Sequence, residues 1–199
     1  MSELVLQPEN TSCHLYEGVP NTNFSEAYFY LGSTTDKNSH PLLRHNFTVL
    51  PDGAIISQAI LSLLCFDKNG DPVGRTYLAC EITQREWIAT QATWNIYKTS
   101  NNWASAGGDF ITDDAGSCVV PSDPIGKWFD FDVTTLIQHF QSAHGKISEL
   151  LLKDNSEDSG APDLGCYFRS NWYAEASRPK LFITYTLPSA PSKTFVMIF

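Results

Sequence analysis

The chain has 199 residues, 42% of them hydrophobic and only 18% charged against a typical ~25%. It can therefore bury a real core, yet its surface must be dressed largely with Ser, Thr, Asn, Gln and Gly. With 22 acidic against 13 basic residues the net charge is −9, which excludes a phosphate-tracking nucleic-acid binder and any pull towards anionic lipid. No apolar run approaches the ~18 residues of a spanning helix, so membrane insertion is not expected.

The first residues, Met1-Ser2-Glu3-Leu4, carry no basic stretch followed by an apolar one, so no secretory signal is expected. Cys13, Cys65, Cys80, Cys118 and Cys166 are odd in number and widely spaced, with no C-x-x-C pair, and read as free thiols in a reducing compartment. The sequons at Asn10, Asn23 and Asn46 would matter only after eukaryotic secretion.

In chain order, period-two or wholly apolar runs predict strands over residues 27–31, 59–66 and 76–82. The second of these is apolar on both faces apart from Ser62, which predicts a central strand covered on both sides. Turn chemistry at Pro51-Asp52-Gly53 and over Asp67-Lys68-Asn69-Gly70-Asp71-Pro72 brackets it. A half-buried strand follows over 128–133, with Phe129, Phe131 and Val133 inward and Trp128, Asp130 and Asp132 outward. Val133, Leu136, Ile137 and Phe140 fall at helical spacing and predict one short helix, capped by Asp132 or Thr134 and stopped by Gly145. Strands over 147–152, 166–170 and 181–187 complete the set. Many short strands, turn signals between them and one helix predict an all-β chain, an antiparallel β-sandwich of jelly-roll type over residues 1–187. Residues 188–193 read as a proline-bearing linker. Thr194-Phe195-Val196-Met197-Ile198-Phe199 is a β-prone apolar peptide that water alone would leave prone to aggregation, so Phe195, Val196, Met197, Ile198 and Phe199 are expected to dock on a partner.

Catalytic signatures are missing: no G-x-S-x-G, H-E-x-x-H, P-loop or G-x-G-x-x-G is present. His139 and His144, five apart, do not have the spacing of a zinc pair on one helix face, and no metal site is expected among the histidines at 14, 40, 45, 139 and 144. Asp130 and Asp132 share a strand face but read as solvated rather than as a glycosidase pair. The Asp67–Asp71 run fails as a calcium loop because Pro72 and Leu78 stand where Gly and Glu are needed. No cofactor is expected, a structural calcium on Asp109, Asp113, Asp114 or Asp154 being the one option left open. The chain reads as non-enzymatic.

Aromatic residues make up 13%, and Trp87, Trp94 and Trp103 cluster in one central stretch. Flat rings beside amides suit sugar recognition, and equally serve as plugs in a sandwich core, the role expected of Trp87 and Trp94. The chain resembles the DNRLRE-type domain, also classed as carbohydrate-binding module family 96. The resemblance rests on Leu42-Leu43-Arg44-His45-Asn46-Phe47, the run from Leu50 to Leu61, and Trp87 with Ala92-Thr93-Trp94-Asn95. It continues through Trp103 with Gly107-Gly108-Asp109, Trp128 with Phe131-Asp132-Val133-Thr134, and Phe168-Arg169-Ser170 with Arg178-Pro179-Lys180-Leu181. The chain departs from that pattern at His45-Asn46-Phe47-Thr48, where an amide replaces the usual aspartate.

The resemblance implies a non-catalytic jelly roll of the kind found on polysaccharide-active enzymes, cell-surface proteins and phage particles, and the Trp94-to-Gly108 stretch looks most like the phage-encoded versions. The expectation is thus a structural and adhesive protein of a bacteriophage virion, a head-decoration or fibre component at the particle surface, assembled in the host cytoplasm. Its partners would be other virion proteins and host-surface or environmental glycans, and it would act as a homo-oligomer or within an assembly. The alternative is a stand-alone module of an extracellular bacterial system, binding a polysaccharide of the alginate or pectin class. Glycan contact is expected at Tyr97, Lys98, Trp103, Arg169, Trp172 and Tyr173.

Overall fold

The structure, a computed structural model, describes residues 1–8, 11–34, 37–157 and 163–188. The apolar terminal peptide, Phe195 to Phe199, and most of the linker before it lie outside the described residues. Strands come first in chain order: β1 (Ser2–Leu6), β2 (Ser12–Tyr16), β3 (Tyr28–Thr34), β4 (Lys37–Asn46), β5 (Ile55–Asn69) and β6 (Thr76–Ile82). There follow β7 (Ile96–Lys98), β8 (Asn101–Asn102), β9 (Phe110–Val119), β10 (Trp128–Asp132), the helix α1 (Thr134–Ala143), β11 (Ile147–Asp154), β12 (Leu164–Arg169) and β13 (Lys180–Thr186).

Among the described residues every strand pairing is antiparallel, and the chain is an all-β sandwich of jelly-roll type with one short α-helix. One layer runs β1-β13-β5-β10; the other runs β5-β12-β3-β4-β11-β6-β9, with β2 also on β4. Strand β5 belongs to both. Its first part, from Ile55 to Leu64, pairs with β13 and β10, and its end, Cys65 to Asn69, pairs with β12. A register shift on β12 between Tyr167 and Phe168 leaves Phe66 as the extra residue of a bulge, the usual device for turning a strand from one sheet into the next. Where the curled sheet brings β9 close to β10, Gly116 makes the approach: a Cβ there would stand 2.5 Å from the Asp132 carbonyl oxygen.

Two cores result from this arrangement. The larger lies between the layers and takes the inward alternates of both, among them Phe29, Leu31, Leu43, Leu61, Leu63, Phe129, Phe131, Leu150, Leu152, Phe168 and Ile183, closed by Leu136, Ile137 and Phe140 of α1. A second core sits on the other face of the larger layer. Cys13, Leu15, Leu42, Ile82 and Leu151, one position out of step with the first set, meet Trp87, Ala89, Ala92, Trp94 and Trp103 from the segment 83–109, which folds over that face as a cover. A sheet so covered is apolar on both sides, like the buried sheets of α/β proteins, but here a connecting segment does the covering.

Most expected strands are found, β6 with the bounds read from the sequence. Strand β5 is longer than expected. It absorbs Asp67, Lys68 and Asn69, read above as turn, because Asp67 and Asn69 pair with Tyr167 and Gly165; the turn begins only at Gly70 (φ 62). Nor is β5 covered on both faces: Ile60 and Leu64 are half-buried on an outer face. Asn46, the departure from the family pattern, accepts from Thr48 through both backbone N–H (3.0 Å) and hydroxyl (2.8 Å), so the amide fixes the turn that follows β4.

Candidate functional site

The cover accounts for the tryptophan cluster. Trp87 lies under the Arg44 guanidinium, 4.5 Å from the ring centroid. The Trp94 ring packs 5.0 Å from His40, and a Cβ at Gly107 (φ 91) would meet that indole at 2.8 Å. Trp103, expected above to face a sugar, is instead 5% exposed, and its indole N–H donates to the Thr93 carbonyl at 2.9 Å. The Trp94-to-Gly108 stretch is a lock for the cover, and Trp103 offers no ring face to a ligand.

Of the other residues expected at a site, Tyr97 is half-buried 5.7 Å from Trp103, and Lys98 is bound to Glu86 at 2.5 Å. Arg169, Trp172 and Tyr173 form a separate set. The Arg169 guanidinium is held between two rings, 3.6 Å from the centroid of Phe66 and 3.9 Å from that of Tyr173. Trp172 donates its indole N–H to the Ser12 carbonyl (3.2 Å), while its ring remains exposed. No hydrogen bond, ion pair or ring contact joins the two sets among the described residues.

The second set continues into an aromatic strip that the sequence did not announce. It is built on the outward alternates of β2, β3 and β12, with the bulge residue Phe66 of β5. Tyr167 lies opposite Tyr30, and Arg169 opposite Tyr28, in the β12–β3 register. Ring centroids are 4.9 Å apart for Tyr30 and Tyr167, 5.9 Å for Tyr28 and Tyr167, and 6.2 Å for Tyr28 and Phe66. His14 stacks on Phe24 at 4.6 Å. A cleft of about 240 Å³ opens along the strip, lined by His14, Tyr16, Val19, Phe24, Tyr28, Tyr30, Thr34, Ser39 and Tyr167. Gly165 makes it fit: a Cβ there would stand 2.6 Å from the Leu31 carbonyl and press on the Tyr30 ring.

The phenols stay neutral. Burial raises the Tyr28, Tyr30 and Tyr167 hydroxyls above the ordinary value, and the carboxylate charges of Glu26 beside Tyr28, and of Asp67 and Asp163 beside Tyr167, push the same way. Burial also pushes His14 down to about 4, so the imidazole is uncharged at neutral pH. The strip therefore presents ring faces and neutral hydroxyls, with Arg169 as its cation.

A second open groove, of about 410 Å³, lies on the outer face of the β1-β13-β5-β10 layer, lined by Trp128, Phe182 and Ile60 with Glu3, Gln58, Asp130 and Lys180. Its ring is already occupied, the Lys180 ammonium lying 4.4 Å over Trp128, and the Ser62 hydroxyl donates to Asp130. The carboxylates considered for calcium are not gathered. Asp154 is buried against Arg75 (2.5 Å), Asp109 accepts from the Ala104 and Ser105 amides (2.9 and 2.8 Å), and Asp113 and Asp114 are exposed on β9. Among the described residues one set of metal-ligating side chains converges, Glu81 with His139 and His144, where no metal was expected.

Fold and strip together define a jelly-roll domain whose distinguishing surface is a bed of aromatic rings. The pattern that defines the disaggregatase related repeat domain matches residues 12–183, and the chain belongs to that family. No curated protein matches the sequence.

Proposed function

We propose that the domain is a non-catalytic carbohydrate-binding module that takes a neutral glycan along the aromatic strip. The observation that carries this reading is the accessible Tyr28–Tyr167 pair, backed by the buried Tyr30 with Arg169 alongside: flat faces for sugar C–H surfaces, beside neutral hydroxyls that can donate and accept. The resemblance to DNRLRE-type domains and the membership of a family named for a disaggregatase both agree with a module that works on aggregated or polymeric material.

An acidic polysaccharide fits less well. Of the cations that would have to gather for a polyanion, Arg44 is bound to Glu149, Lys98 to Glu86, and Lys180 lies over Trp128, while the exposed carboxylates Glu26 and Asp67 border the strip. These carboxylates also lack the apolar enclosure that a general acid needs, which supports binding without turnover. The virion setting expected from the sequence rests on the Trp94-to-Gly108 pattern and on residues 188–199; glycan binding rests on neither.

The test is affinity electrophoresis and calorimetry against a panel of neutral and acidic polysaccharides, with Tyr28→Ala and Tyr167→Ala variants. Loss of one stacking platform is expected to weaken binding about tenfold, ~1.4 kcal/mol. Binding of a neutral polymer that neither variant weakens would place the site elsewhere, and release of sugar products by the purified domain would end the non-catalytic reading.

A further inference from the structure

The C-terminal end of α1 packs near β6, and three side chains that ligate metals meet there. Glu81 comes from β6, His139 from α1, and His144 from the position that caps the helix, its backbone N–H donating to the Phe140 carbonyl at 3.1 Å. On a continuous helix residues five apart diverge; His144 leaves the helical path (φ −130, ψ 26), and its imidazole turns back towards His139.

The two Nε2 atoms are 3.2 Å apart. Glu81 places Oε1 at 3.3 Å from His144 Nε2 and Oε2 at 3.6 Å from His139 Nε2. We propose that Glu81, His139 and His144 bind a divalent transition-metal ion of the zinc class, with a fourth position open to water.

Three observations carry this. First, the His139–His144 spacing and that from His144 to Glu81 Oε1 are those of a coordination shell: with bonds of ~2.05 Å, two ligands of a tetrahedron stand ~3.3 Å apart, and a small turn of the carboxylate brings one oxygen to both imidazoles. A charge-assisted hydrogen bond between imidazolium and carboxylate would be ~2.7 to 2.9 Å. Second, Glu81 is buried, 7% exposed, and accepts no hydrogen bond among the described residues, its polar contacts being the two imidazoles and Arg85 at 3.9 Å. With Arg85 as distant as that, the carboxylate has room for a closer cation among the imidazoles.

Third, the neighbouring cation reaches Glu81 only at length, with Arg85 Nη1 3.9 Å from Oε1, while the rest of its guanidinium is committed elsewhere. Arg85 turns its Nε to Glu149 (3.1 Å) and donates an Nη2 hydrogen to the Ile147 carbonyl (2.9 Å), with Phe140 beneath it, and Glu149 also holds Arg44. A nitrogen, nitrogen, oxygen set favours zinc, cobalt, nickel or copper over calcium or magnesium. The side chain of His139 is 49% and that of His144 26% exposed, so an ion has a way in and a side for water.

The test uses the full chain after dialysis against chelator. Titration with Zn²⁺ and Co²⁺ is expected to show one ion per chain, a raised Tm, and for cobalt the absorption of a four-coordinate nitrogen and oxygen site without thiolate charge transfer. His139→Ala, at a half-exposed position where folding should survive, and Glu81→Gln are each expected to weaken binding by ~100-fold or more, above the usual loss for an outer-shell partner. Should Glu81→Gln fail to fold, His139→Ala decides alone. Absence of stoichiometric binding at micromolar zinc overturns the proposal, as does binding that His139→Ala leaves undiminished.

Discussion

At Trp103 a single residue shows how far chemistry and position part company. The ring is of the type that holds sugars, yet the Thr93 carbonyl takes its N–H and Tyr97 packs on it. Trp103→Ala is therefore expected to cost ~3 to 5 kcal/mol of stability by leaving a void under the cover. Urea unfolding checks the stability, and glycan titration of the variant below its transition should show unchanged affinity. His40 has a comparable structural role: Nδ1 meets the Gly107 carbonyl and Nε2 meets Glu157, both at 2.7 Å, tying the cover to the chain after β11. Two thiols belong wholly to the packing. Burial pushes Cys13 and Cys80 each up to about 12, so neither offers a thiolate near neutrality.

At the scale of elements, neither Asp132 nor Thr134 is the N-cap of α1: Val133 holds that position without a side-chain cap bond, and the aspartate just before it braces the first helical residue instead. Asp132 Oδ1 accepts both the Thr134 N–H (3.0 Å) and its hydroxyl (2.6 Å), and the Thr134 oxygen accepts from Ala59 N–H (2.9 Å), fastening the helix to β5. Asp132→Ala is expected to cost ~1 kcal/mol, visible as a lower denaturation midpoint at unchanged m. Strands β10 and β13 were legible because their inward and outward residues alternate cleanly, and β6 and β11 because they are apolar runs buried on both faces. Strand β9 was not: Asp113 and Asp114 on a polar edge carry little period. Strand β4 was hidden differently, since Asn38, Ser39 and His40 are polar yet buried, with Ser39 donating to the Tyr30 carbonyl and the Asn38 amide to Glu17. The strip was obscure for a related reason. Tyr28, Tyr30 and Tyr167 each look like ordinary strand residues, and only the pairing of distant strands assembles them. The convergence of His139 and His144 was hidden because their spacing was read on a helix that in fact ends between the two.

For the whole molecule, burial of uncharged histidine sets the response to acid. His45 is fully buried and burial pushes it down to about 3; His14 falls to about 4. In the unfolded chain both take up protons below about 6.5, while in the folded chain they do so only near those depressed values. Their contribution is thus complete above 6.5 and declines as pH falls, by ~1.4 kcal/mol per unit for each histidine. Glu157, lowered by its bonds to His40 and Lys153 against the opposing effect of burial, loses its contribution in the same direction. Unfolding midpoints measured from pH 7 to pH 5 are expected to drop steeply, and His45→Leu should flatten the slope by about one proton's worth. A flat profile in the parent chain would contradict the buried neutral state.

The second core has a consequence for how the domain can change over generations. In many sandwiches the connecting segments are free to vary in length and content, and new specificities arise there. Here the segment 83–109 is the roof of a core, and lengthening or replacing it would uncover Leu15, Leu42 and Leu151 to water. If the strip is the glycan site proposed above, drift in ligand preference is left to single exchanges on the outward sides of β2, β3 and β12, where a new ring or hydroxyl disturbs no turn.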